Sequence, residues 1–334
     1  MLKKVIKKLL PLILIMVFLF LVFYVGLWLV SFKQYPVNFG VNFSPEYARS
    51  LGLDWKQVYN YILTDLKPDY IRLSAPWNEI EKEKGQYNYE DIDYLLSRAN
   101  ENSTKVTLVI GQKVPRWPEC FFPEWSDNLS LIDREPFLFS YLEETVKRYR
   151  NDPALEYWQV ENEPFIKFRF GECERFNVDS VQNEVDLVRS LDPDHKIIMT
   201  DSGEISLWYR ASKTGDILGA TLYRVVYSRF GFVWHYSYLP AGLYKFKARI
   251  LGKDYNNFFI SELQAEPWFK NGNALTNSIP KQEKTMNVKS LESIISYTQK
   301  VGASRVYFWG VEWWYWMKES KNDSRYWDMG KMVI

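Results

Sequence analysis

The sequence predicts a single (β/α)8 barrel, the TIM-barrel class of α/β fold, preceded by one N-terminal transmembrane helix. Three observations predict it. Eight apolar runs of strand length alternate with segments of helical period, an order that builds a parallel sheet covered by helices. Two of those runs, Trp158–Pro164 (Trp-Gln-Val-Glu-Asn-Glu-Pro) and Phe258–Gln264 (Phe-Phe-Ile-Ser-Glu-Leu-Gln), carry glutamates at their ends. A barrel displays its functional groups there, at the C-terminal ends of its strands. Finally, the chain begins with an apolar run long enough to cross a bilayer.

The elements follow in order. Lys3, Lys4, Lys7 and Lys8 precede an uninterrupted apolar run from Leu9 to Val30, 22 residues. At 1.5 Å per residue this spans about 33 Å, enough for a hydrocarbon core of about 30 Å. A secretory signal peptide has a shorter apolar region and a small-residue cleavage site. Leu29–Lys33 (Leu-Val-Ser-Phe-Lys) offers no Ala-x-Ala pattern. The basic flank puts the N-terminus in the cytoplasm and the remainder outside. Residues 1–33 are therefore read as a cytoplasmic basic tip and an uncleaved signal anchor, with the lipid bilayer as partner of residues 9–30. A long signal peptide and a buried helix of a soluble protein are the alternatives. Residues 34–334 are read as one extracytoplasmic barrel domain, since about 300 residues fit a barrel of about 250 plus loop insertions.

Candidate strands are Asn38–Asn42, Tyr70–Leu73, Val106–Ile110, Tyr157–Glu161, Ile197–Thr200, Ile217–Leu222, Phe258–Glu262 and Arg305–Trp309. Between them Trp55–Leu66, Glu90–Asn100, Pro136–Arg150, Val178–Leu191 and Val288–Val301 repeat apolar residues near a 3.6 period. Ser206–Ser212 is short for a barrel helix, so the fifth crossover is the least regular. No internal repeat or low-complexity linker interrupts this order. The long segments after strands, 111–134, 165–177 and 264–283, are where a barrel builds specificity.

Composition excludes several chemistries. With 42 basic and 41 acidic residues, the charge gives no reason to expect a nucleic-acid partner. The two histidines (His195, His235) and two cysteines (Cys120, Cys173) fit no zinc-ligand spacing. No nucleophile elbow, phosphate-binding loop or dinucleotide fingerprint occurs, so neither metal nor cofactor is expected. His195 lies in a turn before a strand, on the barrel's non-catalytic end. Cys120 follows the third strand and Cys173 the fourth, on neighbouring loops. In an oxidising compartment they are expected to form a loop-bracing disulfide, two free thiols being the alternative. The 14 Trp, 23 Tyr and 21 Phe supply core, or flat faces for the C–H surfaces of sugars.

Cleaving a glycoside with retention needs a protonated acid near the leaving oxygen and an ionised carboxylate below the anomeric carbon. Glu163 after strand four and Glu262 on strand seven meet that need across a barrel mouth. Asn162, beside the acid, is placed to hydrogen-bond a sugar 2-hydroxyl. Pro164 ends the strand. The predicted partner is thus an oligo- or polysaccharide.

Over about residues 38–316 the chain resembles the retaining glycoside hydrolases of clan A, (β/α)8 enzymes with catalytic glutamates after strands four and seven. Asn162-Glu163-Pro164 matches the acid/base tripeptide and Ile260-Ser261-Glu262 the nucleophile strand. Tyr70–Leu73, with Trp77–Tyr89 after it, looks like the second strand and its loop. Val306–Gly310 looks like the eighth. The resemblance implies that Arg72 holds Glu262 ionised, that Tyr223 orients it through its hydroxyl, and that Trp309 floors the sugar site. It also implies dry surroundings that keep Glu163 protonated. There are departures. Thr221 stands where many cellulase-like members have a histidine, and histidines near strands three and four are missing. His235, after strand six, is the expected partial substitute in contacting substrate. Glu161 is expected to point the same way as Glu163 and deeper, partnered by Arg72 or a tyrosine. Glu266 and Trp268 are expected at the cleft mouth. Two or three of Trp117, Trp125, Trp268, Trp313, Trp314 and Trp316 are expected to stack on sugars. The reading is a retaining O-glycosyl hydrolase acting on β-linked glycosides or polysaccharide, with Glu163 as acid/base and Glu262 as nucleophile. A cell-envelope transglycosidase with the same site, or a catalytically silent polysaccharide-binding barrel, are the alternatives.

Overall fold

Runs rich in β-branched and aromatic residues form eight strands in the computed structural model, which describes residues 2–166, 171, 173, 176–228 and 230–334. They are β1 (Asn38–Phe43), β2 (Tyr70–Ser74), β3 (Lys105–Ile110), β4 (Leu155–Val160), β5 (Lys196–Asp201), β6 (Ile217–Leu222), β7 (Phe258–Gln264) and β8 (Arg305–Trp309). All neighbours pair in parallel and β1 closes onto β8, giving a closed barrel. Strands β1, β3, β6 and β7 are buried along nearly their whole length, as expected when helices cover one face and the barrel interior the other. Between β6 and the next helix a short antiparallel hairpin pairs Val225–Tyr227 with Val233–His235.

The helices are α1 (Leu2–Val30), α2 (Pro45–Ser50), α3 (Trp55–Tyr61), α4 (Trp77–Ile80), α5 (Glu90–Glu101), α6 (Leu131–Tyr149), α7 (Val181–Leu191), α8 (Tyr209–Thr214), α9 (Ala241–Ile250), α10 (Ile279–Gln282), α11 (Val288–Thr298), α12 (Val311–Lys321) and α13 (Arg325–Val333). Their inner faces follow the helical repeat: Ile92, Leu95, Leu96 and Ala99 on α5, and Leu291, Ile294, Ile295 and Thr298 on α11. Side-chain caps start several of them, with Ser44, Asp54, Ser130 and Asn287 accepting first-turn amides. The fifth crossover is indeed the short α8. Cys120 and Cys173 are bonded, tying the loop after β3 to that after β4 across 53 residues of chain.

Helix α1 is long and apolar enough to cross a membrane between Leu9 and Val30. The side chains of Lys3, Lys4, Lys7 and Lys8 lie outside the described residues. The C-terminal end of α1 docks on α9. Gly242 allows the approach, because a Cβ there would meet the Leu27 carbonyl oxygen at 2.1 Å. The Gly242 N–H donates to Ser31 Oγ (2.7 Å), whose hydroxyl donates to the Leu27 carbonyl (2.7 Å). Tyr24 donates its O–H to the Tyr238 carbonyl (2.6 Å), and Phe23 packs edge-on against Phe246 with centroids 5.0 Å apart.

Candidate active site

Glu262 is aimed by an irregularity in its own strand. Both neighbours of β7 lose register there: Ala220 and Thr221 of β6 face Ile260 and Glu262, while Val306 and Phe308 of β8 face Ile260 and Leu263. The extra residue in β7 is a bulge, which re-aims the side chains beside it. Glu262 Oε1 accepts from Arg72 Nη1 (3.1 Å) and Oε2 accepts from the Tyr223 hydroxyl (2.8 Å).

Arg72 is buried and crosses the barrel interior from β2. Its Nε donates to Gln159 Oε1, its Nη1 to Asn42 Oδ1 and its Nη2 to Asn162 Oδ1, each at 2.8 Å. One guanidinium therefore engages side chains from β1, β4 and β7 and the turn after β4. Asn42 extends the network to the backbone of β7 and β8, donating to the Ser261 and Phe308 carbonyls at 3.0 and 3.2 Å. Sequence reasoning missed Asn42 and Gln159. The available signal was an amide flanked by apolar residues inside a strand run, Asn42 between Val41 and Phe43 and Gln159 between Trp158 and Val160.

Glu163 sits on a left-handed turn. Glu161 and Glu163 have φ of +60° and +46°, a region uncommon for non-glycine residues. The turn is held at four points. The Glu161 N–H donates to the Ile110 carbonyl (2.8 Å), and the Asn162 N–H to the Lys113 carbonyl (2.7 Å). The Glu163 N–H donates to Thr200 Oγ1 (2.8 Å), and Lys113 Nζ to the Asn162 carbonyl (2.7 Å). Oε1 of Glu163 is buried without a hydrogen bond to a described residue. Burial, and secondarily the charge of Glu262, push this carboxyl well above the usual carboxylate range. The two glutamates thus occupy unlike environments, one buried where its neutral form is favoured, the other held by a cation and a phenol.

The turn also corrects the expectation for Glu161. Because β4 ends at Val160 and the backbone turns left-handed, this side chain leaves the barrel and packs on the loop after β3. Its Oε1 and Oε2 accept from the N–H groups of Gln112 (2.8 Å) and Lys113 (2.6 Å). Its carboxyl neighbour is Glu184 of α7, not Arg72 or a tyrosine. Burial and then the charge of Glu184 raise the Glu161 pKa well above normal, and burial pushes Glu184 up to about 7.

Glu163 and Glu262 line a cleft of about 980 Å³, together with Asn162, Tyr223, Trp268 and Trp309. Trp268 stands edge-on to Tyr223, centroids 5.3 Å apart. One face of Trp309 is covered by Arg116, whose guanidinium lies 3.9 Å from that ring's centroid and 3.8 Å from that of Tyr47. Arg116 pairs with Glu266 and with Glu312 (3.1 Å). Burial raises Glu312 to about 7 against the opposing pull of Arg116. Arg116 and Glu312 were not anticipated, because they meet Glu266 only through the closed barrel.

Other expectations part ways. Among the six tryptophans proposed for stacking, Trp117 and Trp268 line the cleft, while Trp313, Trp314 and Trp316 are buried in α12. Trp125 packs against Trp77. His235 is not at the cleft. Strand alternation turns Trp234 and Tyr236 toward it, leaving His235 exposed on the other side of the hairpin.

No known family model matches the sequence. Solved structures do match the chain. A β-galactosidase from the haloarchaeon Halorubrum lacusprofundi superposes with a TM-score of 0.56 at 15% identity, over 82% of this chain and 52% of that one. GH5_18 from Streptomyces cattleya, solved with GlcNAc, gives 0.58 at 13% identity over 83% and 71%. Xylanase 10B from Thermotoga petrophila, solved with xylobiose, gives 0.54 at 15% identity over 83% and 86%. The barrel is shared with known glycoside hydrolases. The chain spans about half the length of the β-galactosidase it matches.

Proposed function

We propose that this chain is a retaining O-glycosyl hydrolase acting on β-linked glycosides or polysaccharide, with Glu163 as acid/base and Glu262 as nucleophile. One observation carries the reading. Two glutamates, one at the end of β4 and one on β7, face a single cleft in opposite electrostatic settings. The reaction is a double displacement. A Glu262 carboxylate oxygen forms a bond to the anomeric carbon as the glycosidic C–O bond breaks, and Glu163 gives its proton to the leaving oxygen. Water then attacks the same carbon, Glu163 takes its proton, and the bond to Glu262 breaks, restoring both carboxyls. Arg72 and the Tyr223 hydroxyl hold Glu262 in position throughout. The dry pocket around Glu163 keeps the first proton in place until the leaving oxygen needs it.

The same reading makes residues 1–33 a membrane anchor with the N-terminus cytoplasmic. Residues 34–334 are then an extracytoplasmic catalytic domain. The test uses the full chain in detergent, incubated with activated 2-deoxy-2-fluoro β-glycosides in gluco, galacto, manno and xylo forms and as oligosaccharides. The expected result is a glycosyl adduct on the peptide containing Glu262. Turnover with a labelled residue other than Glu262, or no adduct and no turnover across the whole panel, would overturn it.

A further inference from the structure

The docked end of α1 fixes how close the barrel stands to the bilayer. Residues 9–22, the part of the apolar run that precedes the docked segment, extend about 21 Å at 1.5 Å per residue. A hydrocarbon core is about 30 Å thick. The remaining ~9 Å falls to residues 23–30, and those are the residues packed on α9 and Tyr238. Whatever packs on them is carried to the same depth. That depth matches the roughly 5–10 Å at which interfacial elements bury an apolar face.

The surface beside this contact is built for such a place. Phe232, Trp234 and Tyr238 are exposed along the hairpin and its exit, and their rings adjoin, with centroids 6.0 and 6.1 Å apart. Tyr238 is itself the residue hydrogen-bonded to Tyr24 of α1. After β5, Leu207 in the loop and Tyr209 at the start of α8 are 84% and 63% exposed. The same loop and hairpin supply Ile205, Phe232 and Trp234 to the cleft lining. Exposed apolar surface contiguous with a membrane helix and rich in Trp and Tyr is the composition of a membrane–water interface.

We propose that this rim of the cleft, the 225–238 hairpin with the loop after β5, is seated in the interface of the bilayer that α1 crosses. The cleft then opens at the lipid surface, and a glycan reaches Glu262 along the membrane. The proposal rests on the anchor reading of α1.

The experiment places p-benzoylphenylalanine, one position at a time, in the full chain reconstituted into phosphatidylcholine nanodiscs. The positions are Leu19, Leu207, Phe232 and Met332. Met332 is an exposed apolar residue on α13, which packs on α12, α11 and the segment between α3 and β2. After irradiation, lipid adducts are read by mass. The proposal expects adducts at Leu207 and Phe232 in yields comparable to Leu19, and only background at Met332. Adducts at Leu19 with none at Leu207 and Phe232 would overturn the seating of the rim while keeping the anchor. No adduct at Leu19 would overturn the anchor and the proposal with it. Equal adducts at Met332 would show non-specific lipid contact and would equally overturn it.

Discussion

Replacing Arg72 with methionine keeps most of the side chain's volume and removes its charge and donors. Five buried acceptors then lose a donor: Glu262 Oε1 at 3.1 Å, the side-chain oxygens of Asn42, Gln159 and Asn162 at 2.8 Å, and the Ser261 carbonyl at 3.4 Å. Removing one member of a buried ion pair costs about 3–5 kcal/mol, because the other charge stays buried alone. Losses within one hydrogen-bonded network do not add, so the other acceptors are not counted on top. For a domain of this size roughly 2 °C of melting temperature corresponds to each kcal/mol. The expected loss is about 6–10 °C. The assay is thermal unfolding of the full chain in detergent, with Arg72→Met, Glu262→Gln and the double variant measured together. If the cost is the stranded carboxylate, the double variant recovers about 1–3 kcal/mol of it, as residues in one network do. A single variant melting within 2 °C of the parent, or a double variant no better than Arg72→Met, would refute the reasoning.

Four further outcomes are expected. Glu163→Gln abolishes turnover of unactivated substrates, yet stabilises the fold at neutral and alkaline pH. The sign follows from the raised folded-state pKa. Above the unfolded value of about 4.3 the unfolded chain gives up a proton that the folded chain keeps, so stability falls by about 1.4 kcal/mol per pH unit until the folded pKa is passed. Melting curves of the two proteins should therefore coincide near pH 4 and separate above it; parallel curves at all pH values contradict this. Glu262→Ala should be inactive, with azide restoring cleavage of an activated glycoside and inverting the product, which NMR of the anomeric proton reads. Glu161→Gln puts an NH2 donor against one of the two backbone N–H groups that the carboxyl accepts from and so shifts the turn that carries Glu163; a full kcat in that variant counts against the role given to the turn. Reducing the Cys120–Cys173 bond, which closes a separation of 53 residues, should lower stability by up to about 4 kcal/mol on the chain-entropy account, measured by urea unfolding with and without reductant.

The barrel was legible because its signal is periodic. Each strand is a bounded apolar run, and the helices between most of them keep one apolar stripe. α12 gave no such stripe, since Trp313, Trp314, Tyr315 and Trp316 are all buried and a helix surrounded by protein loses its polar face. Glu163 and Glu262 were legible as motif positions on counted strands. The direction of Glu161 was not, because a left-handed non-glycine residue leaves no mark on composition. The Arg116–Glu266–Glu312 group joins residues up to 196 positions apart and exists only after closure. The aromatic hairpin hid in a segment whose strands are three residues each, too short for alternation to stand out.

The bulge in β7 sets a rule for how this chain can vary. In a regular strand, parity decides which side each residue faces, so counting from either end gives the same answer. In β7 the count from Phe258 and the count back from Gln264 disagree by one, and Glu262 stands where they meet. A one-residue deletion there would restore a regular ladder, with both flanks keeping their partners, and would remove the bulge that aims Glu262. Substitutions leave the count alone, and insertions after Gln264 fall outside it. Descendants of this sequence are thus free to lengthen the loop beyond β7 and to exchange its side chains, while the number of residues between Phe258 and Gln264 is held constant.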